Sequence, residues 1–98
     1  METNAVHEVL GTGTLVKVVF IDDFGFCGRE LHPTDIDLER TGVIEGNSVS
    51  VTDDEGCLLE VQENVLAGTE FPEETPVCYL INLGERKLQV MSHEIEVL

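Results

Sequence analysis

Short apolar segments, rich in Val, Leu and Ile and separated by turn residues, constrain the fold of this chain more than any other feature. Their composition and spacing are typical of short β-strands. No window of about twelve residues has the 3.6-residue apolar period of an amphipathic helix. The sequence therefore predicts an all-β fold, in which about six short strands close into a small barrel. The predicted strands are residues 14–21, 41–51, 57–61, 76–83, 87–91 and 95–98.

The breaks between these segments define the parts of one predicted domain, residues 1–98. Residues 1–13 form a lead-in, and the nearly continuous apolar run that follows indicates a strand buried on both faces. A long loop is expected over residues 22–40, where Thr34 would cap a short helical turn together with Asp37. The run Asp53-Asp54-Glu55-Gly56 is a strong turn signal, so residues 47–62 are expected to form an inserted β-hairpin.

Charge is the strongest signal in the composition. Twenty Asp and Glu and five Lys and Arg give a formal charge of −15, which repels nucleic-acid phosphates and anionic membranes. We therefore expect neither direct nucleic-acid binding nor membrane binding. Solubility, adaptation to high salt and docking on a basic protein surface are three interpretations of this charge. The predicted acidic face consists of Glu45, Asp53, Asp54, Glu55, Glu60, Glu63, Glu70, Glu73 and Glu74.

Cysteine usage favours a reducing compartment. Cys27, Cys57 and Cys78 are scattered along the chain and odd in number, which is typical of reduced thiols in a cytoplasmic protein. The first ten residues contain neither a basic start nor an apolar run of signal length. No stretch approaches the ~20 apolar residues of a membrane span.

The residues that could carry chemistry lack the spacing that metal sites and active sites use. Structural zinc sites usually contain two closely spaced ligand pairs, and only Cys27 and His32 lie near each other. The same pair lacks the surroundings of a nucleophilic site, because the sequence contains no oxyanion-hole motif or nucleophile elbow. Carboxylate pairs such as Glu73-Glu74 are typical of solvated turns. We predict no metal, no cofactor and no catalytic residue.

The best candidate contact region is the loop after the first strand. Phe24 and Phe26 lie two residues apart, so an extended backbone would place them on one face, and Arg29 and His32 follow them. Aromatic residues beside an arginine are common in interface hot spots. The alternative is that both rings fold back and cover one end of the barrel. We expect Phe71 to add a ring from a second loop, and Tyr79 to join from the sheet or to lie in the core with its hydroxyl at the rim.

Several short motifs resemble those of SH3-like small barrels of the KOW and Tudor type. They are Thr41-Gly42-Val43-Ile44, Tyr79-Leu80-Ile81-Asn82-Leu83-Gly84-Glu85, Lys87-Leu88-Gln89-Val90 and Ser92-His93-Glu94-Ile95-Glu96. The resemblance covers residues 14–21, 41–46 and 77–98 and implies a single-turn 3₁₀ corner before the last strand. Such barrels usually contact RNA or ribosomal partners, a role that the acidic charge argues against. The overall pattern is also similar to small uncharacterised phage and actinobacterial proteins.

These observations favour a non-catalytic binding module over an enzyme. In the leading hypothesis the acidic face docks on a basic protein surface, for example as a phage or bacterial inhibitor that occupies a nucleic-acid-binding groove. A second hypothesis is a small-molecule receptor or sponge with an anti-defence role, in which aromatic rings stack on a nucleotide base and Arg29 pairs with a phosphate. A zinc-binding or Cys-dependent enzyme is a third. The edge strand at residues 57–61 also offers a way for two copies to pair into a homo-oligomer.

Overall fold

The computed structural model describes residues 6–22 and 30–98. All regular structure in these two ranges is β-strand or single-turn 3₁₀ helix, so the all-β prediction is confirmed. The strands are β1 (Val6–Glu8), β2 (Leu15–Val18), β3 (Thr41–Thr52), β4 (Leu58–Glu63), β5 (Glu70–Pro72), β6 (Val77–Asn82), β7 (Lys87–Met91) and β8 (Ile95–Val97). The 3₁₀ turns are Asp35–Asp37 and Ser92–Glu94.

Six of the strands form one antiparallel sheet around β3. The order of pairing is β7-β6-β3-β2-β8, and β4 pairs with the far part of β3. Among the described residues the two ends of this path, β7 and β8, form no ladder with each other. The prediction of a closed barrel is therefore wrong, because the sheet curves around its core without joining its ends.

The core consists mainly of Val, Ile and Leu side chains that point inward from this sheet. Burial of such side chains is the dominant favourable contribution to folding. Leu10, Ile21, Val65, Phe71 and Ile95 are partly buried and pack against the core. The buried cluster contains Val9, Val16, Val18, Ile44, Val49, Val77, Tyr79, Ile81, Leu83, Leu88 and Val90.

Strand β2 alternates between buried and exposed side chains. Val16 and Val18 are fully buried, whereas Leu15 is 51% exposed. Both edges of β2 are occupied, by β3 and by β8, but only one of its faces meets the core. The prediction that this apolar run is buried on both faces is therefore wrong.

A second, two-stranded sheet was missed by the sequence analysis. β1 lies in the predicted lead-in and pairs with β5, with His7 opposite Phe71. Val9 continues the connection, because its amide donates to Thr69 O at 2.9 Å and its carbonyl accepts from Gly68 N at 2.9 Å. The amide of Leu10 then donates to the Tyr79 hydroxyl at 2.9 Å. These bonds attach the small sheet to the main core.

Local turn signals fold as predicted. Thr34 precedes the first 3₁₀ turn, and its amide donates to Asp37 Oδ2 at 2.8 Å. The second 3₁₀ turn forms the expected corner before β8. There the buried Glu94 carboxylate accepts from the amides of Met91 and Asp22, both at 2.7 Å. Each corner thus contains a buried carboxylate that satisfies main-chain donors.

The described part of the predicted long loop, residues 30–40, packs against the β6–β7 hairpin. The carbonyl of Leu31 accepts from Gln89 N at 2.8 Å on the outer edge of β7. Asp37 is fully buried, and Arg86 Nη2 lies 3.4 Å from its Oδ2. A buried carboxylate requires a partner of this kind, because an unpaired charge in the interior is costly.

We expect Arg86→Met to lower the free energy of unfolding by about 2 kcal/mol. This is less than the ~3–5 kcal/mol typical of breaking a fully buried pair, because the Arg86 side chain is 35% exposed and partly screened by solvent. Urea denaturation measures the change. The matched control, Lys87→Met, removes a cation from the exposed Glu45 and should cost clearly less. Equal losses of unfolding free energy in the two variants would contradict the buried ion pair between Arg86 and Asp37.

Candidate functional site

The longest strand of the sheet extends beyond its neighbours and carries a hairpin with it. β2 pairs with residues 41–43 of β3, and β6 pairs with β3 only as far as Val49 opposite Val77. One further bond, from Ser50 N to Pro76 O at 3.1 Å, ends that contact. β4 then pairs with residues 48–52 of β3. We call residues 51–63, which comprise the end of β3 beyond its pairing with β6, the turn and β4, the hairpin arm.

The sequence of the turn explains why the arm closes where it does. Asp53 Oδ1 accepts hydrogen bonds from the amides of Glu55 and Cys57, both at 2.9 Å. The amide of Asp53 also donates to Cys57 O at 3.0 Å. Gly56 has a φ of 86°, a conformation that glycine adopts without steric cost. The predicted hairpin is thus confirmed, although its first strand is continuous with residues 41–47.

Asn47 fixes the base of the arm to the body. Its side chain donates to Val65 O at 3.0 Å and accepts from Val65 N at 2.8 Å. Its main-chain carbonyl accepts from Asn64 N at 2.9 Å. The register of β3 against β6 shifts between Ile44 and Gly46, which marks a β-bulge in β3. The end of β4 is thus attached to the body here, whereas β3 remains paired with β6 as far as Val49.

Every residue of β4 is exposed, including its apolar side chains. Leu58, Leu59 and Val61 are 60%, 65% and 50% exposed. Glu60 lies opposite Val51 and Leu58 opposite Thr52, so Leu59 is the extra residue of a β-bulge that interrupts the regular ladder. An edge strand of this composition usually marks a contact surface or an aggregation risk.

The charge around the arm has one sign. The four Lys and Arg within residues 6–22 and 30–98 form ion pairs elsewhere, with Glu39, Glu85, Asp37 and Glu45. Among the described residues, none of these cations lies within ion-pair distance of the rest of the predicted acidic face. The carboxylates of that face with no cation partner in residues 6–22 and 30–98 are those of Asp53, Asp54, Glu55, Glu60, Glu63, Glu70, Glu73 and Glu74.

The acidic face extends from the arm to the loop before β6. Asp53, Asp54 and Glu74 line a cleft of about 430 Å³ between the arm turn and residues 72–75. Glu45 does not belong to this surface, because Lys87 Nζ lies 2.9 Å from its carboxylate on the β6–β7 side. Hydrogen bonds from Lys87 and Asn82 lower the Glu45 pKa. Of the predicted acidic face, the structure thus brings Asp53, Asp54 and Glu74 together at this cleft and separates Glu45 from them.

The predicted aromatic contact region is not brought together within the described residues. Phe24, Phe26 and Arg29 lie outside them. His32 is half-buried, and its Nδ1 lies 2.6 Å from Pro33 O. The other two candidates, Phe71 and Tyr79, belong to the body and not to the arm.

Tyr79 and Phe71 contribute to the core. Tyr79 is 2% exposed, so it lies in the core, as the alternative interpretation stated. Its hydroxyl accepts a hydrogen bond from the amide of Leu10. Phe71 is half-buried and packs against the same cluster. Neither ring is available as an exposed stacking surface.

The described residues contain no grouping of three or more His, Cys, Asp or Glu that is arranged to hold a metal ion. Cys27, one member of the Cys–His pair considered above, lies outside these ranges. Cys57 is an exposed free thiol between the turn of the arm and β4. No helix in the described portion is long and apolar enough to cross a membrane.

We expect Leu59→Thr and Val61→Thr to change the free energy of unfolding by no more than about 0.5 kcal/mol, because both side chains are already solvated. The control is Val49→Ala at a fully buried position of β3, which should cost about 2 kcal/mol. Thermal and urea denaturation compare the variants. A large loss from either β4 variant would mean that the arm packs against the body.

Burial raises the pKa of Tyr79 above its usual value, although the bond from Leu10 acts in the opposite direction. Tyr79 is the single tyrosine and the chain lacks tryptophan, so ultraviolet absorbance reports its ionisation directly. We expect a midpoint above pH 10 in the folded protein and near 10 in the unfolded chain. The associated stability is present below pH 10 and is lost as the pH rises through the folded pKa. Identical midpoints would contradict burial of the ring.

Comparison with known proteins gives no indication of what the arm does. No family model, no curated protein and no solved structure matches the chain. What the arm does must therefore follow from its contacts, its exposure and its charge.

Proposed function

We propose that this protein is a non-catalytic interaction module that docks on a basic protein surface through the hairpin arm. The observation that carries the proposal is the presence of exposed Leu58, Leu59 and Val61 within a purely acidic stretch. Exposed apolar side chains on a folded strand favour a partner that covers them. The carboxylates around them favour a partner of opposite charge.

The apolar side chains and the carboxylates of the arm would contribute to binding in different ways. Complete burial of the three apolar side chains, each already 35–50% covered, would supply roughly 3 kcal/mol in total. The carboxylates would mainly accelerate association and select the partner, because exposed charges add little net affinity in salt. The cleft lined by Asp53, Asp54 and Glu74 is suited to a lysine or arginine side chain.

We also propose that the body of the protein is an opened relative of the SH3-like barrels. The sheet order β8-β2-β3-β6-β7 and the 3₁₀ turn between β7 and β8 support this assignment. The motif at Thr41-Gly42 supports it as well, because Gly42 lies where an added Cβ would come within 2.8 Å of Leu83 Cδ2. In this view the arm is an addition between the second and third strands of the barrel.

One concrete form of the proposal is an inhibitor that occupies a nucleic-acid-binding groove. Such grooves are lined with Lys and Arg that normally bind phosphates. The unpaired carboxylates of the arm would replace those phosphates, and a phage or bacterial setting would fit an inhibitor of this size. The exposed thiol of Cys57 is compatible with a reducing cytoplasm.

The test compares two variants that remove three negative charges each. Asp54→Asn/Glu55→Gln/Glu60→Gln neutralises the arm, and Glu8→Gln/Asp35→Asn/Glu96→Gln neutralises three exposed carboxylates elsewhere. Each protein is immobilised and exposed to host extract, and the captured proteins are quantified by mass spectrometry at about 0.1 M and 1 M salt, where the screening length falls from ~10 to ~3 Å.

We expect wild type and the control variant to capture the same strongly basic proteins at low salt and to release them at high salt. The arm variant should capture at least about tenfold less. Equal capture by the two variants, or capture that high salt leaves unchanged, would overturn the proposed function.

A further inference from the structure

The outward edge of β4 can be identified from the hydrogen-bond ladder of the arm. Asn64 N donates to Asn47 O, and the register continues with Gln62 opposite Val49 and Val61 opposite Ser50. Hydrogen-bonded pairs alternate along an antiparallel ladder. Gln62 therefore directs its main-chain groups toward β3, whereas Val61 and Glu63 direct theirs away from it.

Within the described residues this outward edge has no neighbouring strand. β4 pairs with β3 alone. The outer edge of β7 is different, because Leu31 O accepts from Gln89 N there and the amides of Glu30 and Leu31 donate to the Gln89 side chain at 2.8 and 3.0 Å. A loop of the chain thus covers part of the β7 edge, whereas no described residue pairs with the outer edge of β4.

β4 also lacks the usual residues that prevent strands from pairing across molecules. Edge strands are commonly protected by lysine or proline, and Leu58–Glu63 contains neither. Its only charged residues are Glu60 and Glu63. An edge of this kind disfavours acidic neighbours and accepts basic ones.

Charge decides between a second copy and a different partner. Two arms paired edge to edge would bring the carboxylates of Asp53, Asp54, Glu55, Glu60 and Glu63 close to the same five in the other copy. Like charges at such distances oppose association. An extended segment that alternates basic and apolar residues would instead match both the carboxylates and the exposed apolar side chains of β4.

We propose that β4 binds an extended basic segment of its partner by β-strand addition, with the main-chain groups of Val61 and Glu63 extending the sheet. The inference rests on the proposed function and specifies how the partner is held. Main-chain bonds would supply a general part of the affinity, and the alternating side chains would supply specificity.

The test uses a fluorescent peptide of the same length as β4, Lys-Val-Lys-Val-Lys-Val, with Glu-Val-Glu-Val-Glu-Val as the charge control. Val61→Pro removes the outward N–H, and proline is tolerated where that group faces solvent. Val61→Ala shortens the same side chain and keeps the N–H. We expect the proline variant to lose at least about tenfold in affinity for the lysine peptide and the alanine variant to lose about threefold or less.

A second measurement uses the unmodified protein, so that the result does not depend on folding of the proline variant. Saturation with the lysine peptide should slow hydrogen exchange at the Val61 and Glu63 amides by at least about tenfold. Unchanged exchange at both amides overturns strand addition, as does the absence of peptide binding. Dimerisation of wild type in sedimentation that Val61→Pro abolishes would identify a second copy as the occupant and would also overturn it.

The failure of this inference and the failure of the proposed function have different signatures. Equal affinity of wild type and Val61→Pro for the lysine peptide overturns strand addition but leaves docking by side chains intact. Equal affinity for the lysine and glutamate peptides, or binding that salt does not weaken, overturns both.

Discussion

The length of β3 is the constraint on which the rest of the structure depends. Its twelve residues pair with β2 and β6 along the first part and with β4 along the last part. The first part forms the centre of the core, where Ile44 and Val49 are fully buried. The last part extends beyond the sheet, so a side chain attached to the arm gains little burial however apolar it is. The same strand therefore stabilises the core with its first part and holds β4 in an exposed position with its last part.

The acidic charge and the exposed apolar strand have a joint explanation. An open apolar edge alone would promote self-association, and the carboxylates of Glu60 and Glu63 oppose it between identical copies. The cations in the described part of the chain, Lys17, Arg40, Arg86 and Lys87, already form ion pairs. Hydrogen bonding to Glu85 even raises the pKa of Arg40 while lowering that of Glu85. The arm would therefore attract a basic partner electrostatically and repel the arm of a second copy.

Features set by neighbouring residues could be predicted from the sequence, and features set by distant ones could not. The turn at Asp53–Gly56, the Thr34–Asp37 corner and the bend at Ser92–Glu94 follow from local hydrogen bonding. The β1–β5 sheet was missed because its three-residue strands have meaning only once Val6 meets Pro72 across the chain. The exposure of Leu59 could not be predicted either, because alternation indicates which side chains share a face but not whether anything covers that face. Of the predicted acidic face, Asp53, Asp54 and Glu74 meet at one cleft, whereas Glu45 pairs with Lys87 from another strand.

Amide hydrogen exchange of the unbound protein tests the central claim most directly, namely that β4 is a folded strand with one open edge. The account predicts alternation, with exchange at Gln62, whose N–H faces β3, at least about tenfold slower than exchange at Val61 and Glu63. Uniformly fast exchange along β4 would show that the arm is not folded. Uniformly slow exchange would show that its outer edge is already covered, and either result would contradict the account.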